Sequence, residues 1–206
     1  MDEIKETNGQ ILTIVICRHP EHKRELILPI GGMKAIALAH WLKRQDLEAE
    51  RLIHSGTQRT LQAACFMMVA TNCFDLELEK NTDFNIVHFL MERMGKRVQA
   101  PGENQEEINA AGNKVEDALE HNSFARRVRT HLLHCIQELA QDMVEKKQRI
   151  TWIVSHGQFS ELAVTEETAS LTPYGINHCD CIIYQVSSEG FKVVKSTYVP
   201  FETTQE

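Results

Sequence analysis

Arg18-His19, His54-Ser55 with Arg59 a helical turn further on, and Ser155-His156-Gly157 are the places where this chain concentrates side chains able to hold and attack an anion. A neutral imidazole is a nucleophile. A guanidinium presents a planar fork of N–H donors that suits the oxygens of a phosphoryl group. Buried imidazoles flanked by guanidiniums would be costly packing without an anion to balance the charge. The chemistry that fits these residue types is phosphoryl transfer, with Arg18 and Arg59 as the clamp and His19 and His156 between them.

Each of these groups follows a short apolar run. Ile11-Leu12-Thr13-Ile14-Val15-Ile16-Cys17 is continuous and β-branched, as expected of a strand buried on both faces. Arg51-Leu52-Ile53-His54 and Thr151-Trp152-Ile153-Val154 are shorter strands of the same kind. Pro29, Gly31 and Gly32 read as a loop, and a helix is expected from about Met33 to Arg44 on the spacing of Ile36, Ala37, His40 and Trp41. Gln58 to about Val69 reads as a second helix, with Ser55 shaping its cap, and Asp75-Leu76-Glu77-Leu78 as an edge strand. A long helix from Ser123, its expected cap, to about Lys147 carries the stripe Phe124, Val128, Leu132, Ile136, Leu139 and Met143. Two last strands, Ile182 to Val186 and Phe191 to Val194, turn through Ser188-Glu189-Gly190. Alternating strands and helices predict an α/β fold, a three-layer α/β/α sandwich around a mostly parallel central sheet. Ligands of such sheets bind at the carboxyl ends of the strands, where three distant segments would deliver their arginines and histidines to one edge.

Composition narrows the partners. The 206 residues, 42% hydrophobic and 25% charged, are those of a globular chain and are expected to form a single domain, 1–206. The stretch 80–120, with Pro101-Gly102 and mixed charge, reads as an irregular insertion roofing the pocket. A formal charge of −7 argues against nucleic acid, whose phosphates call for clustered Lys and Arg. No apolar run suits a membrane, the acidic start lacks a signal-peptide pattern, and a cytoplasmic location is expected with reduced cysteines. His178-Cys179-Asp180-Cys181 could be half of a zinc site, but C-x-C has no second pair nearby, and a strand with alternating faces is the better reading. No metal or cofactor is expected, since the sequence has no P-loop or Asp-x-Asp motif.

Ile16-Cys17-Arg18-His19 resembles the R-H-G strand end of the histidine phosphatase superfamily, also called phosphoglycerate mutase-like. Ser55-Gly56-Thr57-Gln58-Arg59-Thr60-Leu61-Gln62-Ala63-Ala64 is similar to that family's S-x-x-x-R-T-x-Q-T-A segment, and Val154-Ser155-His156-Gly157 to its V-S-H-G segment. The likeness runs from about Thr13 to Tyr184 and is weakest in 80–120. Pro20 and Gln158 stand where the family has glycine, and Glu21-His22-Lys23-Arg24 where the mutases carry Ser-x-Trp-Asn. The resemblance implies a phosphohistidine on His19, phosphate binding by Arg18, Arg59 and His156, and a proton donor in Leu90-Met91-Glu92, with Glu79 as the competitor for Glu92. His178 is expected as a loop histidine near the pocket rim. The expected activity is that of a metal-independent phosphomonoesterase acting on a small phosphate ester or a phosphoprotein. Three alternatives stay open: a mutase, a non-catalytic phosphoryl-binding protein, and a zinc hydrolase. Oligomeric state is left open.

Overall fold

The computed structural model describes residues 9–23, 25–76, 78–85, 114–157 and 159–202. Strand β1, Ile11–Arg18, leads into a short hairpin of β2, His22–Lys23, and β3, Leu26–Ile27, and then helix α1, Pro29–Arg44. Strand β4, Arg51–His54, helix α2, Gln58–Thr71, and strand β5, Leu78–Lys80, follow. After the undescribed stretch come α3, Val115–His121, and α4, Ser123–Glu145. The chain continues through β6, Ile150–Ser155, the single turn α5, Glu166–Ala169, and β7 and β8, Cys181–Ser187 and Lys192–Val199.

The six strands form one sheet in the order β5-β4-β6-β1-β7-β8. The first four are mutually parallel, and β7 and β8 close one side as an antiparallel hairpin. Strand β1 shows why its sequence is continuously apolar. Leu12, Ile14 and Ile16 face one buried layer, covered by α3 and α4, while Val15 and Cys17 face the other, covered by α1 and α2. With both faces covered, the alternation of a half-exposed strand disappears. The expected three-layer α/β/α sandwich is present.

Two local expectations are corrected. Helix α1 starts at Pro29, not near Met33, because Pro29 occupies the first helical position, where its missing N–H costs nothing. Its buried stripe is Ala35, Leu38, Ala39 and Leu42, on the face opposite the expected one, and His40 is exposed. Gly31 and Gly32 lie inside the helix rather than in a loop. A Cβ on Gly31 would stand 2.5 Å from the Glu21 carbonyl oxygen, so the glycine lets α1 approach the segment after β1. The cap of α4 is Asn122, whose Oδ1 accepts the Phe124 and Ala125 N–H groups; Ser123 is the first helical residue.

Residues 86–113 of the expected insertion lie outside the described residues, and Glu92 with them. No helix among the described residues is long and apolar enough to cross a membrane.

Candidate active site

Strands β4, β6 and β1 are adjacent, with β6 in the middle, so the three sequence segments end side by side at the carboxyl edge of the sheet. The ladder extends past the strands themselves. The His19 N–H donates to the Ser155 carbonyl at 3.0 Å, and the Ser55 N–H to that of Val154 at 3.0 Å. From the other flank the Arg18 N–H donates to the Asp180 carbonyl, 3.0 Å, and the Cys179 N–H to that of Arg18, 3.2 Å. The backbone of His19 is thereby fixed between β6 and the turn preceding β7.

His19 is 4% exposed. Its Nδ1 lies 2.9 Å from its neighbour Pro20's carbonyl oxygen, an acceptor, so Nδ1 carries the proton and Nε2 the lone pair. Burial pushes its pKa down to about 2, with His156, Arg59 and His22 pressing the same way. His156, whose ring centroid is 5.2 Å from that of His19, is lowered to about 3 by burial and by the Arg59 and Arg18 charges. Its Nε2 is 3.1 Å from Ser55 Oγ. Both imidazoles are therefore neutral at physiological pH.

The two guanidiniums complete the pocket. Arg18 donates from one terminal nitrogen to the Ile176 carbonyl, while burial works against its charge and Glu161 and Asp180 support it. Arg59 sits in the first turn of α2, where a cation opposes the helix dipole, and its sole described ion pair is with the exposed Glu25 at 3.2 Å. The Nε atoms of both arginines are buried without a hydrogen-bond partner. Two unspent donors beside neutral imidazoles make a ready anion cradle. Thr57, not Ser55, caps α2, its Oγ1 accepting the Thr60 N–H.

No protein-family model matches the chain, and no curated protein matches it in sequence. Solved structures do. A phosphoglycerate mutase from Bacillus anthracis str. Sterne superposes with a TM-score of 0.64 at 16% identity, covering 98% of each chain. A mycobacterial glucosyl-3-phosphoglycerate phosphatase gives 0.55 at 14% identity over 93% of this chain and 99% of that one. A phosphoserine phosphatase from Entamoeba histolytica, in complex with 3-phosphoglyceric acid, gives 0.54 at 12% over 91% and 96%. The chain has the phosphoglycerate mutase-like fold.

Of the residues singled out in the sequence, the phosphoglycerate mutase-like fold brings Arg18, His19, Arg59 and His156 into one cluster. His54 is not part of it: its Nδ1 accepts the Gly56 N–H at 3.3 Å, and the charge that bears on it is that of Lys80. Glu79 is held by Arg51, whose Nε and a terminal nitrogen both donate to its Oε2, at 3.0 and 2.5 Å. Arg51 opens β4 at the end of the strand away from the pocket, so this carboxylate is committed to the opposite side. The near carboxylate, Glu21, is ion-paired to Lys34, whose bond outweighs the upward push of burial and keeps it ionised.

Two histidines join the site that the sequence reading left out of it. His22, carried on β2, has its ring 4.6 Å from that of His19. His178 is no bystander in a loop: its ring is 5.5 Å from that of His19, and its Nδ1 lies 2.9 Å from the His19 carbonyl oxygen. The signal for His178 was the pairing of Cys17 with Cys181 across β1 and β7, which places residues just outside both strands together. For His22 the signal was the His19-x-x-His22 spacing, hidden by reading this stretch as a loop. All six cysteines are free thiols, and Cys179 and Cys181 are buried in the apolar layer under α1 rather than facing the pocket.

Proposed function

We propose that this chain is a phosphomonoesterase that works through a phosphohistidine and needs no metal for the reaction. The observation that carries the proposal is a neutral His19, held with Nε2 free to attack, beside two guanidiniums whose Nε donors are unspent. Nε2 attacks phosphorus in line, the ester oxygen leaves with a proton, and His19 carries the phosphoryl group. Water then attacks the phosphohistidine, releasing phosphate and returning the lone pair to Nε2. Arg18 and Arg59 spread the charge of the transferring group over their forks, and His156 adds a hydrogen bond. Glu92 is the proton donor we infer from the family resemblance. The substrate class is a phosphate ester of a small molecule, as in the two solved phosphatases reported above, or a phosphoprotein.

Quenching the enzyme during turnover of labelled substrate is expected to trap an acid-labile, base-stable adduct that His19→Ala abolishes; an adduct surviving in that variant overturns the assignment. Arg59→Ala is expected to lower kcat/KM by about 10²–10³-fold, as removal of a preorganised donor does. A panel of phosphate esters, including 3-phosphoglycerate and phosphoserine, would identify the substrate; isomer formation in place of free phosphate would make the enzyme a mutase.

The proton donor is tested by leaving group. Glu92→Gln is expected to slow release from a sugar phosphate by about 10²–10⁴-fold while sparing p-nitrophenyl phosphate, whose leaving group departs nearly unaided. Equal losses on both substrates would move the acid elsewhere.

A further inference from the structure

We propose that His19, His22 and His178 together form a binding site for a zinc-class divalent cation, one whose occupancy withdraws the His19 lone pair from phosphoryl transfer. One ring nitrogen of each lies within 4.8 Å of those of the other two. The three arrive from separate elements: the end of β1, the β2–β3 hairpin, and the turn before β7.

The hydrogen bonds of these rings are those of ligating histidines. His19 and His178 each spend Nδ1 on a backbone carbonyl, the oxygens of Pro20 and His19 respectively, both at 2.9 Å. That fixes the tautomer and turns the Nε2 lone pair outward, as in histidines that bind metals. His22 has a buried Nδ1 with no hydrogen-bond partner, so its ring keeps an unspent polar atom. The turn that carries His178 is stapled by Asp180, whose carboxylate accepts the Asn177 and Phe201 N–H groups at 2.8 Å and the Tyr198 hydroxyl at 2.7 Å. The β2–β3 hairpin is tied to α2 through the Ile27 N–H and Gln62 Oε1, 2.9 Å.

Ligand type selects the metal. Three imidazoles without a carboxylate suit Zn²⁺ or Cu²⁺ and give Mg²⁺ or Ca²⁺ little. The neighbouring Arg18 and Arg59 repel any cation, which sharpens that choice: an ion held mainly by charge is excluded, one held by nitrogen donation is not. Zinc at about 2.0–2.1 Å from each nitrogen needs the donors to close by about an ångström, and leaves a fourth position for water or a phosphate oxygen. The cation and phosphorus both need Nε2 of His19, so metal binding and phosphohistidine formation exclude each other; this last step rests on the function proposed above.

Metal-free protein titrated with Zn²⁺ in a calorimeter is expected to bind one ion per chain. His22→Ala and His178→Ala should each weaken binding by at least about 10–100-fold, the loss that even an outer partner of a metal ligand causes. Cys179→Ser and Cys181→Ser should leave it unchanged. Imidazole ¹⁵N resonances of the unmutated protein provide a check that needs no variant: the nitrogens of His19, His22 and His178 should shift on zinc addition. Absence of stoichiometric binding, or zinc shifts confined to other histidines, overturns the site. So does an active enzyme whose phosphate release is untouched by saturating Zn²⁺. Zinc held by the three imidazoles in a protein that releases no phosphate from any ester supports the site and overturns the phosphatase reading, so the two failures are told apart.

Discussion

Gly157 packs closely against Arg18. A Cβ there would lie 3.0 Å from Arg18 Cδ, 3.1 Å from its terminal nitrogen, and 3.1 Å from the Ile176 carbonyl oxygen that this nitrogen donates to. The methyl group would push the guanidinium off its anchor while leaving the apolar layers alone. Gly157→Ala is expected to cost about 10²-fold in kcat/KM, the effect of misplacing a catalytic group by about an ångström. Little change in melting temperature should accompany it. A large drop in melting temperature would assign the glycine to folding instead. The residue scale also explains which roles were legible. Arg18, His19, Arg59 and His156 follow strands or open a helix, where local pattern predicts position. His22 and His178 reach His19 through a hairpin and a turn, so the His19-x-x-His22 spacing and the Cys17–Cys181 pairing become legible only once those elements are placed.

At the scale of elements, the sequence is legible where periodicity is long and faint at the ends. The stripe on α4 is legible because 23 residues sample the helical period many times over. The buried face of α1 is hard to read from sequence because Ile36 and Trp41, large and apolar, lie half-buried opposite a stripe of two alanines and two leucines. Small residues are what let α1 lie close against the sheet and α2, and small residues carry a weak signal. The cap of α4 is ambiguous in the sequence, since Asn122 and Ser123 both favour that position. Stability measurements separate them. Asn122→Ala is expected to cost about 1 kcal/mol in urea denaturation, whereas Ser123→Ala should cost next to nothing; the reverse order would return the cap to Ser123. The hairpin β2–β3 escaped because strands of two residues have no period to read.

For the whole molecule, the position of β1 has a further consequence. It is the first strand among the described residues, yet both of its partners come late: Thr13 pairs with Ile150 of β6, and Cys17 with Cys181 of β7. A ribosome adding about 5–20 residues per second needs on the order of ten seconds to carry synthesis from one to the other. Through that interval the nascent chain holds a mostly apolar strand with neither of its ladders to join, and folding must then close long loops, a topology that is slow even in isolation. Chains ending before Ile150 are therefore expected to sediment with the insoluble fraction, and chains ending after β8 to remain in the supernatant. Soluble, protease-resistant short chains would show that β4, α1 and α2 shelter β1 on their own. The strand that bears His19 is thus one a translating cell must protect until β6 and β7 have both been made, and the site can assemble only then.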